Sequence, residues 1–405
     1  MNVLSKVDKT AIKFMEQFDV YEIYLVGGAC RDMVLDRTPK DYDFTTNATP
    51  IQVIELFELK GYKTIATGIN YGTVTVLYDN ETYEVTTYRL ETDYDGRRPN
   101  VIKYASNLTD DLQRRDFTIN ALAMGLDGDL IDMFGGIDDL ENGVIKCVGK
   151  ASDRIGDDKL RALRAIRFAS RYDFTIDEDI LLELSRVDLS QLSRERVRDE
   201  LIKILSYKDS FTYLYIMLKY GILEQIIPQI GKRDIYKRVV GLNSFFYSIE
   251  SSMATLLSNL AESVVIESLR GLRFTNHQIS LITRLIRGIN IPLESISTEY
   301  QLKLFISKLG VDIMLELFQL RVTLATDELK QEEIDCYFRY LNLIKQGDPL
   351  FLKDLAINGN DLLTIGINGK DVGAMLNDLL DTVLACKNLN SKEILIRIAE
   401  ETVKC

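Results

Sequence analysis

The chain is 405 residues long, with 46% hydrophobic and 27% charged residues, which are ordinary values for a globular protein of two to four domains. No stretch approaches the roughly 18 consecutive apolar residues of a membrane-spanning helix, and the start of the chain lacks the apolar core of a signal peptide, so we expect no membrane contact. The formal net charge of −12, taken alone, is a weak argument against a nucleic-acid partner, which usually needs a basic surface.

Histidine and cysteine usage narrows the chemistry further. The single histidine, His277, excludes mechanisms that need two histidines or a histidine-rich metal site. The five cysteines are scattered and include no CxxC pair, so we expect no disulfide framework. The predicted location is therefore the reducing cytoplasm.

The first 150 residues alternate short β-rich runs with turn residues, whereas helical periodicity dominates from residue 151 onward. The predicted strands lie at residues 22–26, 73–78, 82–89 and 142–149, with a helix at 50–60. Later helices are predicted at 157–172, 178–186, 194–206 and 210–219. This order indicates an α+β fold, in which a small mixed-sheet head is followed by an extended all-α remainder.

Two glycines and an arginine follow the first predicted strand, in the segment EIYLVGGACRD. Gly27 and Gly28 have no Cβ, so backbone N–H groups there can approach phosphate oxygens closely. Arg31 would add a fork of hydrogen-bond donors to the same phosphates. The alternative is a tight turn with a surface arginine, since glycine pairs are common in turns.

Three carboxylates of the head are candidates for metal binding. Asp41 and Asp43 in DYDF would share one face if this segment is a strand. Glu84 in TYEVTTYR lies on a second predicted strand, and pairing of the two strands would bring it alongside. Oxygen ligands suit Mg²⁺, and three carboxylates can hold two ions for an in-line displacement at phosphorus. The alternative is an acidic surface turn beside a solvent-facing strand residue.

A polar group, Arg114, Arg115, Asp116 and Asn120, lies in QRRDFTINALAM, with apolar residues at helical spacing between its members. One interpretation is that an arginine and the Asp/Asn pair contact the triphosphate and ribose of a nucleotide. The other is the salt-bridged start of a helix.

Asp158, Arg161, Arg164 and Arg167 follow one another at every third residue in the predicted helix that begins near residue 157. On a helix these side chains fan across one side, and Asp158 and Arg161 are neighbours there. Binding of a nucleotide and a helix decorated with surface ion pairs are equally compatible with this spacing.

Together these segments resemble the head of the nucleotidyltransferase superfamily, and specifically the bacterial class II branch of tRNA CCA-adding enzymes and poly(A) polymerases. Six segments match the family in order and spacing: LVGGACRD, DYDF, YEVTTYR, YDGRRP, RRDFTIN and LIDMFGGIDDLENGVIKCVG. The downstream segment RERVRDEL, at 194–201, resembles the next family motif, which braces the neck.

The resemblance implies four parts and a set of site residues. The parts are a catalytic nucleotidyltransferase head at 1–150, a base-recognising helical neck at 151–210, a helical body at 211–310 and a tRNA-binding helical tail at 311–405. The implied catalytic residues are Asp41, Asp43 and Glu84, with Mg²⁺ held by Asp41 and Asp43. The implied nucleotide-binding residues are Gly28, Arg31, Arg115, Asp116, Asn120, Asp158, Arg161, Arg164 and Arg167.

In this family an E-D-x-x-R motif reads the incoming base, and it falls on Asp157–Arg161, with Asp157 where the family usually has Glu. A carboxylate acceptor beside a guanidinium donor complements the amine and the adjacent ring nitrogen that cytosine and adenine share. Uracil and guanine present the reverse arrangement, which would leave buried groups unpaired at about 1–3 kcal/mol each. An Asp158–Arg161 pair would thus accept C and A without a nucleic-acid template.

The predicted function is the template-independent addition of CCA to the 3′ end of tRNA, using CTP and ATP and releasing pyrophosphate. A poly(A) polymerase, a CC-only or A-only enzyme, a non-catalytic RNA-binding protein and a nucleotidyltransferase for a small acceptor remain as alternatives. The segment RLETDYDGRRP, at 89–99, resembles a flexible loop that CC-only enzymes lack, which disfavours that alternative. Whether the chain forms a homodimer stays open.

Overall fold

The computed structural model describes residues 1–94, 99–207, 210–230 and 248–404. The chain divides into two compact units, Met1–Lys232 and Arg233–Cys405. Among the described residues, no helix is both long and apolar enough to cross a lipid bilayer. The finer division of the chain into four parts stays a prediction.

A seven-stranded mixed sheet forms the centre of the first unit. Its strands are β1 (Ile23–Val26), β2 (Asp43–Thr46), β3 (Lys63–Ile65), β4 (Thr73–Tyr78), β5 (Glu81–Thr87), β8 (Leu122–Met124) and β9 (Leu130–Asp132). Their spatial order is β3-β4-β5-β2-β1-β8-β9. The pairing of β2 with β5 is parallel, and the other neighbours are antiparallel. The mixed sheet of the prediction is thereby confirmed.

Two smaller sheets accompany the large one. An antiparallel pair is formed by β6 (Arg89–Tyr94) and β7 (Pro99–Tyr104), and a parallel pair by β10 (Val144–Ile145) and β11 (Thr175–Ile176). The segment that resembles a flexible loop, at 89–99, falls partly on β6 and partly on residues 95–98, which lie outside the described residues.

Six helices belong to the head and its junction with the neck: α1 (Lys9–Met15), α2 (Gly28–Val34), α3 (Pro50–Leu59), α4 (Leu108–Gln113), α5 (Gly136–Glu141) and α6 (Ala151–Asp157). The helix predicted at 50–60 is α3. It begins there because Thr49 and Gln52 form a reciprocal capping box and Pro50 occupies the first turn, where its missing N–H costs nothing.

An aromatic cluster fixes which face of the large sheet points to the core. The ring of Phe14, on α1, lies 5.1 Å from Phe44, 5.0 Å from Phe57 and 4.5 Å from Tyr83, measured between ring centroids. Successive strand residues point to opposite faces. With Phe44 and Tyr83 turned into this core, Asp43 and Glu84 are directed to the other face of the sheet.

The remaining helices of the first unit are α7 (Leu160–Tyr172), α8 (Glu178–Leu184), α9 (Arg194–Leu205), α10 (Ser210–Lys219) and α11 (Ile222–Ile226). The prediction of a helix from residue 157 is wrong at its start. The chain is extended at Asp158 (φ −140°, ψ 105°), so α6 ends before it and α7 begins after it. The carboxylate of Asp158 accepts a hydrogen bond from the N–H of Leu160 at 3.0 Å, which satisfies one of the donors left open at the start of α7.

Two further expectations are corrected. Asp41 does not share a strand with Asp43, because β2 begins only at Asp43, where it pairs with Val26 at the end of β1. The helical spacing read in 113–124 is also wrong. There, α4 ends at Gln113, a short 3-10 turn follows at Thr118–Asn120, and the chain then enters β8, so its apolar residues are buried in the sheet.

The second unit is helical throughout its described part. Its helices are α12 (Ile249–Leu257), α13 (Glu262–Gly271), α14 (Asn276–Asn290), α15 (Glu299–Leu309), α16 (Met314–Leu324), α17 (Lys330–Lys345), α18 (Gly359–Thr364), α19 (Val372–Ala385) and α20 (Lys392–Lys404). The all-α remainder of the prediction is confirmed.

A buried ion pair ties three helices of this unit together. Arg321, on α16, donates two hydrogen bonds of 2.8 Å to the carboxylate of Glu333, on α17. Its third nitrogen donates to the carbonyl oxygens of Gly288 and Ile291, at the end of α14. Both charged residues are less than 10% exposed. The guanidinium thus has a partner on every nitrogen, as a buried cation requires.

Replacing Glu333 with alanine would leave the Arg321 charge buried without its counter-ion. We expect Glu333→Ala to lower the free energy of unfolding of the second unit by about 3–5 kcal/mol, measured by urea titration. A matched control is Glu262→Ala, because Glu262 pairs with Arg287 in the same unit while both side chains are exposed. We expect that control to lower the free energy of unfolding by less than about 1 kcal/mol. Equal losses for both variants would contradict this account.

Candidate active site

A cleft of about 720 Å³ opens over the polar face of the large sheet, with α7 and α9 on its other side. Ten basic side chains line it against four carboxylates. The basic residues are Arg31, Arg89, Arg114, Arg115, Arg161, Arg164, Arg167, Arg171, Arg196 and Lys203, and the acidic ones are Asp43, Glu84, Asp116 and Asp158. Every predicted site residue lines this cleft except Asp41.

The glycine turn forms one end of the cleft. Gly27 has φ +68°, a left-handed conformation that favours glycine, and it connects β1 to α2. A Cβ at Gly27 would lie 3.0 Å from Nη1 of Arg115, so glycine also keeps space for that guanidinium. Arg31 is 4% exposed and donates to Oδ1 of Asn120 at 2.5 Å, which fixes its direction along the cleft wall.

The carboxylates of Asp43 and Glu84 are neighbours because β2 and β5 pair in parallel with these two residues in register. Desolvation within the cleft raises the pKa of Asp43. The charge of Glu84 raises the pKa further, Arg115 opposes the rise, and Asp41 adds to it. The two neighbouring acidic side chains thus place excess negative charge at this point, which a cation would neutralise.

Asp41 lies two residues before β2 and is exposed at the rim, outside the lining of the cleft. Within residues 1–94, 99–207, 210–230 and 248–404, no group of three or more His, Cys, Asp or Glu side chains is arranged to hold a metal ion by itself. The donor set in the cleft is therefore a pair of carboxylates. Such a pair fits Mg²⁺, which commonly takes one or two carboxylates and completes its shell with water and substrate phosphates.

Asp116 is the centre of a buried network between the head and α7. Its carboxylate accepts hydrogen bonds from Nε of Arg164 at 2.8 Å, from Nδ2 of Asn120 at 2.9 Å and from the N–H of Phe117 at 2.9 Å. Burial alone would raise the pKa of Asp116, but Arg164, Asn120 and Arg161 outweigh it and lower the pKa to about 2. Asp116 thus positions Arg164 and Asn120 in the cleft wall.

Asp158 and Arg161 line the same cleft as the paired carboxylates. Oδ2 of Asp158 accepts from Nη2 of Arg196, on α9, at 2.8 Å. Arg161 donates from Nη1 to the carbonyl oxygen of Arg154 at 3.0 Å and from Nη2 to that of Arg114 at 3.3 Å. These contacts orient both side chains. Each carboxylate oxygen has two lone pairs, so Oδ2 of Asp158 can accept a further hydrogen bond beside the one from Arg196.

An aromatic ring and a second ion pair complete the neck side of the cleft. The guanidinium of Arg167 lies 4.0 Å from the ring centroid of Phe168, and those of Arg31 and Arg164 lie 5.3 and 5.5 Å from it. Arg167 also donates to Glu200, on α9, at 2.6 Å. One ring thus holds three arginines of the wall together.

Sequence reasoning missed Arg196, Glu200 and Phe168 as parts of the site. The first two lie in RERVRDEL, whose charge pattern was visible, but only the packing of α9 against α7 shows that Arg196 meets Asp158 and that Glu200 meets Arg167. Phe168 follows Arg167 directly, and its spacing is that of an ordinary helix residue, so the sequence carries no signal for its contact with three guanidinium groups.

Comparisons with known proteins agree with this geometry. Residues 23–146 match the poly A polymerase head domain, and residues 173–232 match a probable RNA and SrmB-binding site of polymerase A. The mixed sheet, with its glycine turn and paired carboxylates under a basic cleft, is that of a nucleotidyltransferase.

Two relatives and one solved structure extend the match over nearly the whole chain. The CCA-adding enzyme of Lactobacillus helveticus is 33% identical over 98% of this chain and 99% of its own length. That of Bacillus subtilis is 36% identical over 92% of both chains. The crystal structure of the Bacillus stearothermophilus CCA-adding enzyme in complex with CTP superimposes with a TM-score of 0.79 at 26% identity, over 98% of this chain and 97% of that one. The chain belongs to the family of CCA-adding enzymes, which are tRNA nucleotidyltransferases.

The lowered pKa of Asp116 predicts a specific acid sensitivity. Because its pKa in the folded protein lies below the unfolded value of about 3.9, the stability that it contributes is complete above about pH 4 and is lost as the pH falls toward 2. We expect Asp116→Asn to flatten this part of the pH dependence of the unfolding free energy. Glu141→Gln, an exposed acid-to-amide change on α5, should leave the wild-type profile in place. Parallel profiles for all three proteins would refute the assignment.

Proposed function

We propose that this enzyme adds C, C and A in turn to the 3′ end of tRNA without a nucleic-acid template, consuming CTP and ATP and releasing pyrophosphate. The observation that carries the proposal is that the Asp43–Glu84 pair and the Asp158–Arg161 pair line one cleft. A reacting phosphorus near the first pair and a base near the second would belong to the same bound nucleotide.

The ribose would lie between these two pairs, and the triphosphate would extend from the first pair toward the glycine turn. Gly28 and Arg31 at the glycine turn, Arg115 from the head, and Arg164 and Arg167 from α7 supply the positive charge around it. Most of these guanidinium groups are already fixed by carboxylate or aromatic neighbours, so binding requires little reorganisation of them. Positioning and electrostatic stabilisation of the developing charge would then supply most of the catalysis.

We propose Mg²⁺ as the cation and Asp43 and Glu84 as its first protein partners, with Asp41 joining from the rim. Support comes from the chemistry of the two neighbouring carboxylates and from the influence of Asp41 on the pKa of Asp43. When bound, such an ion lowers the pKa of a coordinated hydroxyl and neutralises charge on phosphate oxygens. The protein's own part is to hold these carboxylates side by side, which the parallel pairing of β2 with β5 does.

The base would be read by Asp158 and Arg161. Asp158 accepts from an exocyclic amine and Arg161 donates to the adjacent ring nitrogen, a combination that suits cytosine and adenine. Arg196 and the two backbone carbonyls that hold Arg161 would keep the pair in place while one base replaces the other. The solved Bacillus stearothermophilus relative contains CTP, which is one of the two nucleotides proposed here.

The helical remainder would hold the tRNA. We propose residues 311–405 as the tail that contacts it, because RNA duplexes are recognised largely by shape and backbone over extended surfaces. We also propose a cytoplasmic location, which the unpaired thiols of the described cysteines Cys30, Cys147, Cys336 and Cys386 support.

Stepwise incorporation tests the function directly. Transcripts of tRNA that lack one, two or three terminal nucleotides are incubated with each NTP, and we expect A after CC, C after the discriminator or the first C, and no further addition. Asp43→Asn should lower kcat at least about a hundredfold because it removes one of the paired carboxylates. Tailing of arbitrary RNA with A would overturn the CCA assignment, and full turnover by Asp43→Asn would overturn the metal assignment.

Base selection is tested separately from catalysis. Selectivity is measured as the kcat/KM for CTP divided by the kcat/KM for UTP. We expect Asp158→Ala to lower this ratio by about 5- to 150-fold. In the variant, the carbonyl oxygen of uracil no longer faces the carboxylate of Asp158. Asp153→Asn, an exposed carboxylate on α6, is the matched control and should keep the wild-type ratio. An unchanged ratio in Asp158→Ala would mean that the base is read elsewhere.

A further inference from the structure

Two threonine hydroxyls lie in the cleft and have no part in the scheme above. Thr73, on β4, and Thr86, on β5, are opposite each other in the antiparallel pairing of these strands. Their hydroxyl oxygens are 3.1 Å apart, both residues are partly buried, and both line the cleft. Thr86 lies two residues after Glu84, so their side chains share one face of the strand.

The order of the strands places this pair relative to the reacting groups. Across the sheet, β1 ends in the glycine turn, β2 carries Asp43, β5 carries Glu84 and Thr86, and β4 carries Thr73. Neighbouring strands are about 4.8 Å apart. The carboxylates therefore lie between the glycine turn on one side and the threonine pair on the other.

Displacement at phosphorus is in-line, so the attacking oxygen and the leaving pyrophosphate occupy opposite sides of the reacting phosphorus. If the triphosphate extends toward Gly28 and Arg31, the attacking 3′-hydroxyl approaches from the side of Thr73 and Thr86. The primer ribose carries its 2′-hydroxyl on the carbon next to that 3′-oxygen. The distance from Glu84 to Thr86 along the strand is about 6.6 Å, which leaves room for the two vicinal ribose oxygens between a carboxylate and a hydroxyl.

We propose that the Thr73–Thr86 pair binds the 2′-hydroxyl of the terminal primer ribose and thereby selects an RNA 3′ end over a deoxy end. The inference rests on the proposed function, because it takes the 3′ end of an RNA as the acceptor. A threonine hydroxyl has one donor and two acceptor positions, so the mutual bond leaves the pair both a hydrogen to donate and lone pairs to accept with. A ribose 2′-hydroxyl is itself a donor and an acceptor, so it can form hydrogen bonds with the pair. A 2′-deoxyribose carbon can form none.

Basic and aromatic groups continue from the threonine pair along the same edge. Arg89 lines the cleft and donates from Nη1 to the carbonyl oxygen of Tyr71 at 2.7 Å. Tyr71 is 39% exposed and Tyr104 is 47% exposed. The ring of Tyr104 lies against Gly72, the residue before Thr73. A guanidinium and two exposed rings suit the phosphate and stacked bases of an incoming single strand.

The test compares two primers in a single addition step. Transcripts of tRNA that lack CCA, ending in either a ribonucleotide or a 2′-deoxynucleotide, receive one C from CTP, and kcat/KM is measured for each. We expect the wild type to prefer the ribose end. Thr73→Val and Thr86→Val should each lower that preference by about three- to tenfold, through a loss on the ribose primer alone. Thr86→Ser should retain the preference because it keeps the hydroxyl.

Thr82→Val is the matched control, since Thr82 is an exposed threonine on the same face of β5 outside the cleft, and it should behave as the wild type. Equal losses on both primers would show that the pair only stabilises the sheet, and this result would overturn the inference, as would a wild type without ribose preference. Failure of the wild type to add C to the ribose primer would instead overturn the proposed function. If either valine variant is unfolded by circular dichroism, the other variant and Thr86→Ser decide the question.

Discussion

The ion pair between the buried Asp116 and the partly exposed Arg164 is the interaction on which the geometry of the cleft depends. Asp116 belongs to the sheet domain and Arg164 to the long helix α7, so their contact fixes the wall that carries Arg161 and Arg167 relative to the sheet that carries the paired carboxylates. A buried carboxylate needs such compensation, and Asp116 obtains it from a guanidinium, an amide and a backbone N–H. A contact that stabilises the fold thus also sets the spacing between the paired carboxylates and the Asp158–Arg161 pair that we propose reads the base.

The distribution of charge explains how an acidic protein can act on RNA. The chain carries a formal net charge of −12, yet ten basic side chains face four carboxylates within the cleft. Low-dielectric walls and clustered charge determine the local potential, whereas the net sum mainly governs solubility and long-range repulsion. Net charge alone is therefore a weak argument against a nucleic-acid partner, because the local distribution of charge decides binding.

The sequence predicts those strands and helices whose ends are determined by neighbouring residues. The strand at Thr73–Tyr78 follows from the alternation of threonine and valine in its sequence, and the helix at Pro50–Leu59 follows from its capping box. The sequence also led us to expect that the strands of Asp43 and Glu84 pair, and β2 and β5 do pair with these two residues in register.

Contacts between residues distant in the sequence determine the element boundaries that the sequence did not predict. The break before α7 arises because the carboxylate of Asp158 caps Leu160 and pairs with Arg196, and a helical spacing of apolar residues contains no trace of that pairing. The start of β2 is set by its register with β1, which leaves Asp41 outside the strand. The apolar residues near Asn120 mimic a helical repeat although they enter a strand.

All lining residues of the cleft lie within the first 203 of the 405 residues, from Val26 to Lys203. Domains emerge from the ribosome with the N-terminal part first and generally fold as units. During synthesis the residues that line the cleft are thus complete while much of the second unit is still untranslated. The residues that we propose bind the nucleotide are therefore synthesised before residues 311–405, which we propose contact the tRNA.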